Sequence, residues 1–290
     1  MNLPRLPLMS NEDLNAPIQL RIRQANLNDS DPAQLSLINT NIHEHYDIIL
    51  LQEPYENTSN KVPASSKWRV VYPTDFHISK DKLRVVTLVN ANLSTNYWHQ
   101  IDIPDTNDLV AIQFSGPYGS TTIINIYNNR NHSDTLTIAD IALSRITLTP
   151  LPNPLIHNHY IIWAGDFNHH HPRWDEERNG QLFTTKNMDE AEILINIADE
   201  HGLDMALPKD LPTWVAWDDG NWTRPDNVFC SANTMDVLVQ CTTVPGDKHA
   251  RTDHVPIDTI LDLPVELVLP SEFNNFHAVD WDAFSKQVGE

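Results

Sequence analysis

The stretch "WAGDFNHHHPRW" (163–174) leads an aspartate, an asparagine and three histidines out of an apolar run. Far upstream, "ILLQEP" (49–54) closes another apolar run with Glu53, and near the other end "RTDHVP" (251–256) sets Asp253 beside His254. Carboxylates and amides are hard oxygen donors suited to Mg2+ or Mn2+. Metal-assisted hydrolysis needs a positioned water, a base to deprotonate it and positive charge where negative charge builds in the transition state. The scattered acids, amides and imidazole are the residue types for that work. The three consecutive histidines, His169, His170 and His171, are not: on an extended chain they point in divergent directions, and zinc sites draw on separated spacings. They read as scaffold, one packed under the rim, one solvated and one bonded to a loop carbonyl.

Each candidate closes or opens a β-rich run. "IQLRIRQANLN" (18–28) alternates apolar and polar residues and passes Asn26, "YDIILLQEP" (46–54) is continuously apolar up to Glu53, and "STTIINIYNN" (120–129) contains Tyr127. "YIIWAGD" (160–166) delivers Asp166 and then Asn168, while "DNVFCS" (226–231) opens at Asp226. Further strands are expected at 67–73, 84–93, 108–116, 235–244 and 255–263, and helices at 31–45, 133–148 and 187–203, the last capped by Asn187 and stopped by Gly202. Strands in runs with helices before and after predict an α/β fold, a four-layer α/β sandwich of two packed mixed β-sheets flanked by helices. In such a fold, strand ends meet at one rim, and a rigid scaffold presents what stands there.

As an ordered set, these residues resemble the endonuclease/exonuclease/phosphatase superfamily, whose members include deoxyribonuclease I and apurinic endonucleases. "RQANLN" is similar to the family's opening strand, "ILLQEP" to its Gln-Glu strand end, and "INIYNN" to its tyrosine strand. Gly-Asp-Phe-Asn stands unaltered at 165–168, "RPDNVFCS" carries the late aspartate, and "TDHVPI" resembles the closing Ser-Asp-His motif with Thr252 in place of serine. The resemblance runs over roughly 18–263 in order. The "QANLN" opening, the His-His-Pro-x-Trp continuation and the tail "NNFHAVDWDAFSKQV" resemble the endonuclease domain of non-LTR retrotransposons, where a reverse transcriptase would follow in a longer parent protein. The resemblance implies a DNA endonuclease with Asp166 as base, His254 and Tyr127 as donors to phosphate, and Asp226 as the acceptor that orients His254. Asn168 and Asn26 would hold phosphate and metal-bound water. Mg2+ or Mn2+ is expected on Glu53 and Asp253, with Asn26 beside them. Asn28 stands where some relatives carry an acid, which weakens a second metal site.

Composition bounds these expectations. A chain of 290 residues buries a sizeable core, divided here into a segment 1–17, a domain 18–263 and a tail or linker 264–290. No apolar stretch reaches the length of a membrane span and the start does not read as a secretory signal. Cys230 and Cys241 lie in strand-like runs. Together these suggest an intracellular protein of the nucleus or cytoplasm. The net charge of −20 repels polyanions; residues 264–290 hold five acids and one lysine, so removing them leaves −16. Arg130, Arg173, Arg224, Lys248 and Arg251 are expected near the rim as local compensation. The loop 212–226 holds Trp214, which resembles a buried family position, and Trp217 and Trp222, which read as loop packing or as stacking platforms for bases. The alternatives to a DNA nuclease are a phosphatase or phospholipase of the same fold, and an inactive nucleic-acid or protein interaction domain.

Overall fold

The computed structural model describes residues 19–267 except 80, 117, 131, 133, 149–157, 217–219 and 250. Segment 1–17, most of the 264–290 tail and Trp217 therefore lie outside the described residues. In chain order the strands are β1 (Leu20–Asn26), β2 (Ile48–Gln52), β3 (Trp68–Val71), β4 (Val85–Asn90), β5 (Trp98–Ile101), β6 (Leu109–Gly116) and β7 (Gly119–Tyr127). They continue as β8 (His159–Asp166), β9 (Leu203–Met205), β10 (Trp214–Val215), β11 (Trp222–Thr223), β12 (Asp226–Ser231), β13 (Leu238–Thr243) and β14 (Ile257–Leu261). The α-helices are α1 (Asp31–Asn39), α2 (Asp134–Leu148), α3 (Thr185–Glu200) and the short α4 (Ala232–Asp236).

Two six-stranded sheets form, ordered β13-β14-β1-β2-β4-β3 and β5-β6-β7-β8-β12-β9, with β10 and β11 as a separate hairpin. Only β1/β2 and β7/β8 pair in parallel, so both sheets are mixed. The period-2 geometry of a strand explains why continuous apolar runs are needed. In β2, Ile48 and Leu50 face the other sheet and share the central core with Ile112, Ile123, Ile162 and Val228. Ile49 and Leu51 face the opposite way and pack with Ala33 and Leu37 of α1. In the second sheet, Ile124, Ile126 and Trp163 turn outward to Leu136 and Leu143 of α2 and Leu194 of α3. Three cores between four layers result, which is the expected sandwich.

A buried pair of amides crosses the central core. Gln52 Nε2 donates to Asn125 Oδ1 at 2.6 Å, and Asn125 Nδ2 donates to the carbonyls of Leu51 (3.2 Å) and Val86 (2.9 Å), all fully buried. It lies directly beneath the ends of β2 and β7.

The expected helix at 31–45 ends at Asn39 and is followed by a single 3-10 turn at Ile42–Glu44. The third helix begins earlier than expected: Thr184, not Asn187, caps it, its hydroxyl accepting from Asn187 N at 3.3 Å. Both cysteines are buried and free. Among the described residues no helix is long and apolar enough to cross a membrane.

Candidate active site

Sheet register assembles half of the site. Tyr127 pairs with Asp166 across β7 and β8, and Asp166 pairs with Asp226 across β8 and β12, so three functional side chains stand in a row on adjacent strands. Gly165 makes the approach possible. At φ +155° it lies 1.9 Å, measured from where a Cβ would stand, from the Ile126 carbonyl oxygen, so no other residue fits. The first sheet supplies the other half: Asn26 ends β1, Glu53 follows β2, and Asp253 and His254 lie on the approach to β14. The backbone turns sharply just past these strands, with positive φ at Asn28 (49°), Glu53 (43°) and Asn168 (55°). Backbone strain of this kind collects where side chains must be aimed.

Asp166 joins the two halves. Its Oδ2 accepts from Asn26 Nδ2 at 2.9 Å, and its Oδ1 accepts from the Asn168 amide at 2.9 Å. His254 Nδ1 is 2.8 Å from Asp226 Oδ2, and its Nε2 lies 4.0 Å from both Asp166 Oδ2 and Asp253 Oδ1. Asp226 is thus the partner of His254. Thr252 keeps the hydroxyl of the serine it replaces: its Oγ1 donates to the Asn26 carbonyl at 2.9 Å and accepts from His254 N at 3.2 Å.

Burial and like charge set the electrostatics. Burial, with Asp226 directly opposite, pushes the Asp166 carboxyl well above the usual range. Burial would lower His254, but the Asp226 carboxylate outweighs it and holds the imidazole up at about 9. Burial and the neighbouring Glu53 and Asp166 raise Tyr127, which stays a hydroxyl donor.

The donor set fits a hard divalent cation. Glu53 and Asp253 are carboxylates whose side chains stay 15% and 14% exposed at the rim, against 2% for Asp226, which is spent on His254. Mg2+ uses one or two carboxylates and keeps waters, so partial access is the required feature. Glu53 Oε1 is held by Arg84 NH1 at 2.7 Å, Asn28 Nδ2 reaches Asp253 Oδ1 at 3.3 Å, and Asn26 Oδ1 accepts from Asn28 N at 2.9 Å. Asp166, Asp226 and His254 also bring ligand atoms within 4.8 Å of one another, as the His254–Asp226 hydrogen bond and the Asp166/Asp226 strand pairing require.

Several expected placements differ. Arg224 is not at the rim: it is fully buried, donating to the Leu207 carbonyl and to Asn227 Oδ1, both at 2.7 Å, and to the Pro208 carbonyl. Arg173 is 3.8 Å from Asp199 of α3, and Lys248 lines a separate cavity with Arg23 and Tyr46. Arg130 does reach the site, donating to Asn168 Oδ1 at 3.2 Å. Trp214 is half-buried and lines the cleft, and Trp222 is half-buried with its carbonyl accepting from Asn179. Of the three histidines, His169 and His171 are buried and His170 is half-buried on the cleft wall, and among the described residues none bonds a loop carbonyl through its ring. His169 is buried against Asn128 Nδ2 (3.1 Å) and pushed down to about 4 by burial. His170 faces Asp175, and the buried His171 accepts from Arg173 N and approaches Glu192 at 3.7 Å.

Three supporting residues escaped the sequence reading. Arg84 grips Glu53 and lies 5.0 Å from the centre of the Tyr127 ring. It immediately precedes β4, the antiparallel neighbour of β2, as Glu53 immediately follows β2, so the residues flanking paired strand ends are the signal that could have found it. Asn128 accepts Asn168 Nδ2 on its carbonyl at 2.8 Å. Thr213 Oγ1 accepts from Asp226 N at 3.1 Å.

Residues 121–258 match the family described as Endonuclease-reverse transcriptase. The match spans 138 of the 290 residues, and the two-sheet architecture is that of the deoxyribonuclease I-like α/β sandwich. Solved structures with this fold superpose over most of their length. The endonuclease domain of TRAS1, a telomere-specific non-LTR retrotransposon, is 20% identical, covers 84% of this chain and 99% of that one, and gives a TM-score of 0.62. An AP endonuclease from Leishmania major is 13% identical over 90% of this chain and 93% of its own, with a TM-score of 0.63. A 3'-5' exonuclease from Neisseria meningitidis is 15% identical over 84% of this chain and all of its own, with a TM-score of 0.60. No curated protein matches the chain by sequence.

Proposed function

We propose that the chain is a divalent-metal-dependent phosphodiesterase, a DNA endonuclease of the retroelement type. What supports the reading is the position of the Asp166 carboxylate, fixed by Asn26 and Asn168 and 4.0 Å from the Nε2 of a histidine locked by Asp226. A buried carboxylate with a raised pKa is a stronger base than a free one, so Asp166 is suited to take a proton from water. His254 gives Nδ1–H to Asp226 and aims Nε2–H at a phosphate oxygen, where developing charge is stabilised. Tyr127 supplies a second neutral donor. Asn168 and Asn26 bind without adding negative charge against the phosphate. Glu53 and Asp253, with Asn26, would hold Mg2+ or Mn2+, which when bound adds positive charge at the phosphate and lowers the pKa of water.

The catalytic unit is residues 18–263, with 1–17 and 264–290 as flanking segments. The Endonuclease-reverse transcriptase description supports a parent protein that also carries a reverse transcriptase, acting on DNA in the nucleus or cytoplasm.

Supercoiled plasmid incubated with Mg2+ should be converted to nicked circles, and EDTA should stop the conversion. Equal nicking after exhaustive chelation would remove the metal from the reading. Turnover of inositol phosphates without cleavage of DNA would move the assignment to a phosphatase.

A further inference from the structure

The cleft does not stop at the scissile phosphate. It continues from Asn168 and His254 toward α3 as a cavity of about 600 Å3, within the range of roughly 300–1,000 Å3 that encloses small ligands. Its walls carry Arg130, His170 and Lys186, with Glu190 as their acidic companion. His170 is held most firmly: its Nδ1 is 3.1 Å from Oδ2 of Asp175, a side chain only 1% exposed. Asp175 also accepts from Asn179 Nδ2 at 2.6 Å, Glu176 N at 3.0 Å and Arg224 N at 3.4 Å. Burial would raise its carboxyl, but the hydrogen bonds from His170 and Asn179 outweigh it and hold it below the usual range. An ionised carboxylate only accepts, so the shared hydrogen sits on His170 Nδ1 and Nε2 is the nitrogen left for the cleft.

We propose that this arm of the cleft is an anion subsite for a phosphate adjoining the scissile one, with His170, clamped by Asp175, as its donor. The inference rests on the nuclease reading and deepens it: it gives the bound strand a course, past the active site toward Lys186. The clamp is the reason for assigning a site here, because an imidazole bonded through Nδ1 to a buried carboxylate is held in one orientation and one tautomer, with Nε2 free to face a ligand. Arg130 and Lys186 add cations on the flanking walls of a chain whose overall charge is −20. The chain thereby meets a polyanion locally while repelling it elsewhere.

The test uses the full chain, a fluorescently labelled oligonucleotide and bis(p-nitrophenyl) phosphate, a phosphodiester with no neighbouring phosphate. In His170→Asn the amide nitrogen replaces Nδ1, so Asp175 keeps a partner while Nε2 is lost. Oligonucleotide affinity should weaken about tenfold, the worth of one charge-assisted hydrogen bond. The loss in kcat/KM should be about tenfold larger on the oligonucleotide than on the small diester. Lys186→Ala, on the exposed face of α3, is a second variant without folding cost and should shrink the slope of log affinity against log salt by about one. Wild-type affinity and salt slope in both variants would overturn the subsite. An equal loss on both substrates would overturn it too, since that result marks a disturbed catalytic centre. Binding that depends on His170 without any cleavage by the wild type would keep the subsite and sink the nuclease reading.

Discussion

His254 with Asp226 and His170 with Asp175 are the same chemical pair in two settings. Both aspartates are almost wholly buried, and both hold a ring Nδ1 at hydrogen-bond distance, 2.8 Å and 3.1 Å. The difference lies at the other nitrogen. Nε2 of His254 looks onto two further carboxylates, Asp166 and Asp253, each 4.0 Å away; His170 opens onto a wall shared with Arg130 and Lys186. A carboxylate clamp alone therefore does not make a histidine catalytic. The groups facing its free nitrogen decide whether it meets a reacting phosphate or only a bound one.

The comparison breaks most sharply at Asp166. Asp166→Asn should lower kcat by about two to four orders of magnitude, while DNA affinity holds or rises because a negative charge has gone. Cleavage rate and Kd measured on one oligonucleotide at one salt concentration check both halves, and a variant cleaving at the wild-type rate removes Asp166 from the mechanism. Asp226→Asn comes next, with a loss of about 10- to 100-fold and a change in pH profile. Wild-type kcat/KM should be bell-shaped: it rises as Asp166 loses its proton, above the ordinary carboxylate range, and falls as His254 loses its proton near 9. Without the Asp226 charge, burial lowers His254, so the falling limb should move to lower pH. An unmoved limb would assign it to another group.

Asp175→Asn sharpens the contrast. Here the loss should appear chiefly in KM for polynucleotides, a few-fold to tenfold, with the alkaline limb in place. Steady-state kinetics across pH separate the two pairs. The smallest effect is expected at Thr252, whose hydroxyl ties His254 to the end of β1: Thr252→Val should cost about 1 kcal/mol of stability in urea unfolding.

The strand ends were legible because chemistry and geometry coincide there. Asn26, Tyr127 and Asp166 are the last residues of β1, β7 and β8, and Asp226 is the first of β12, so locating apolar runs also located the candidate residues. What could not be read is where long polar side chains go once distant segments meet. Arg224 precedes Asp226 and looks like a rim cation, yet the carbonyls of Leu207 and Pro208 capture it in the interior. The His170 clamp needs Asp175 to be met by Asn179 and by Arg224 from a distant segment, which no local pattern announces. The start of α3 was ambiguous for a different reason: "FTTKN" offers three capping types in four residues, and only the backbone chooses Thr184. The edge strand β5, "WHQI", escaped because its residues are half-buried or exposed and carry no clear alternation.

The amide tie between Gln52 and Asn125 makes the active site a reporter of the whole sandwich. Neither sheet holds a working set of groups by itself: one brings Asn26, Glu53 and His254, the other Tyr127, Asp166 and Asp226. If one sheet slides over the other, both buried amides lose their partners at once and the two halves of the site part by the same distance. Under mild denaturant, then, catalysis should disappear while the far-ultraviolet signal of the strands persists, and the gap between those two curves measures how firmly two amides hold the sheets in line.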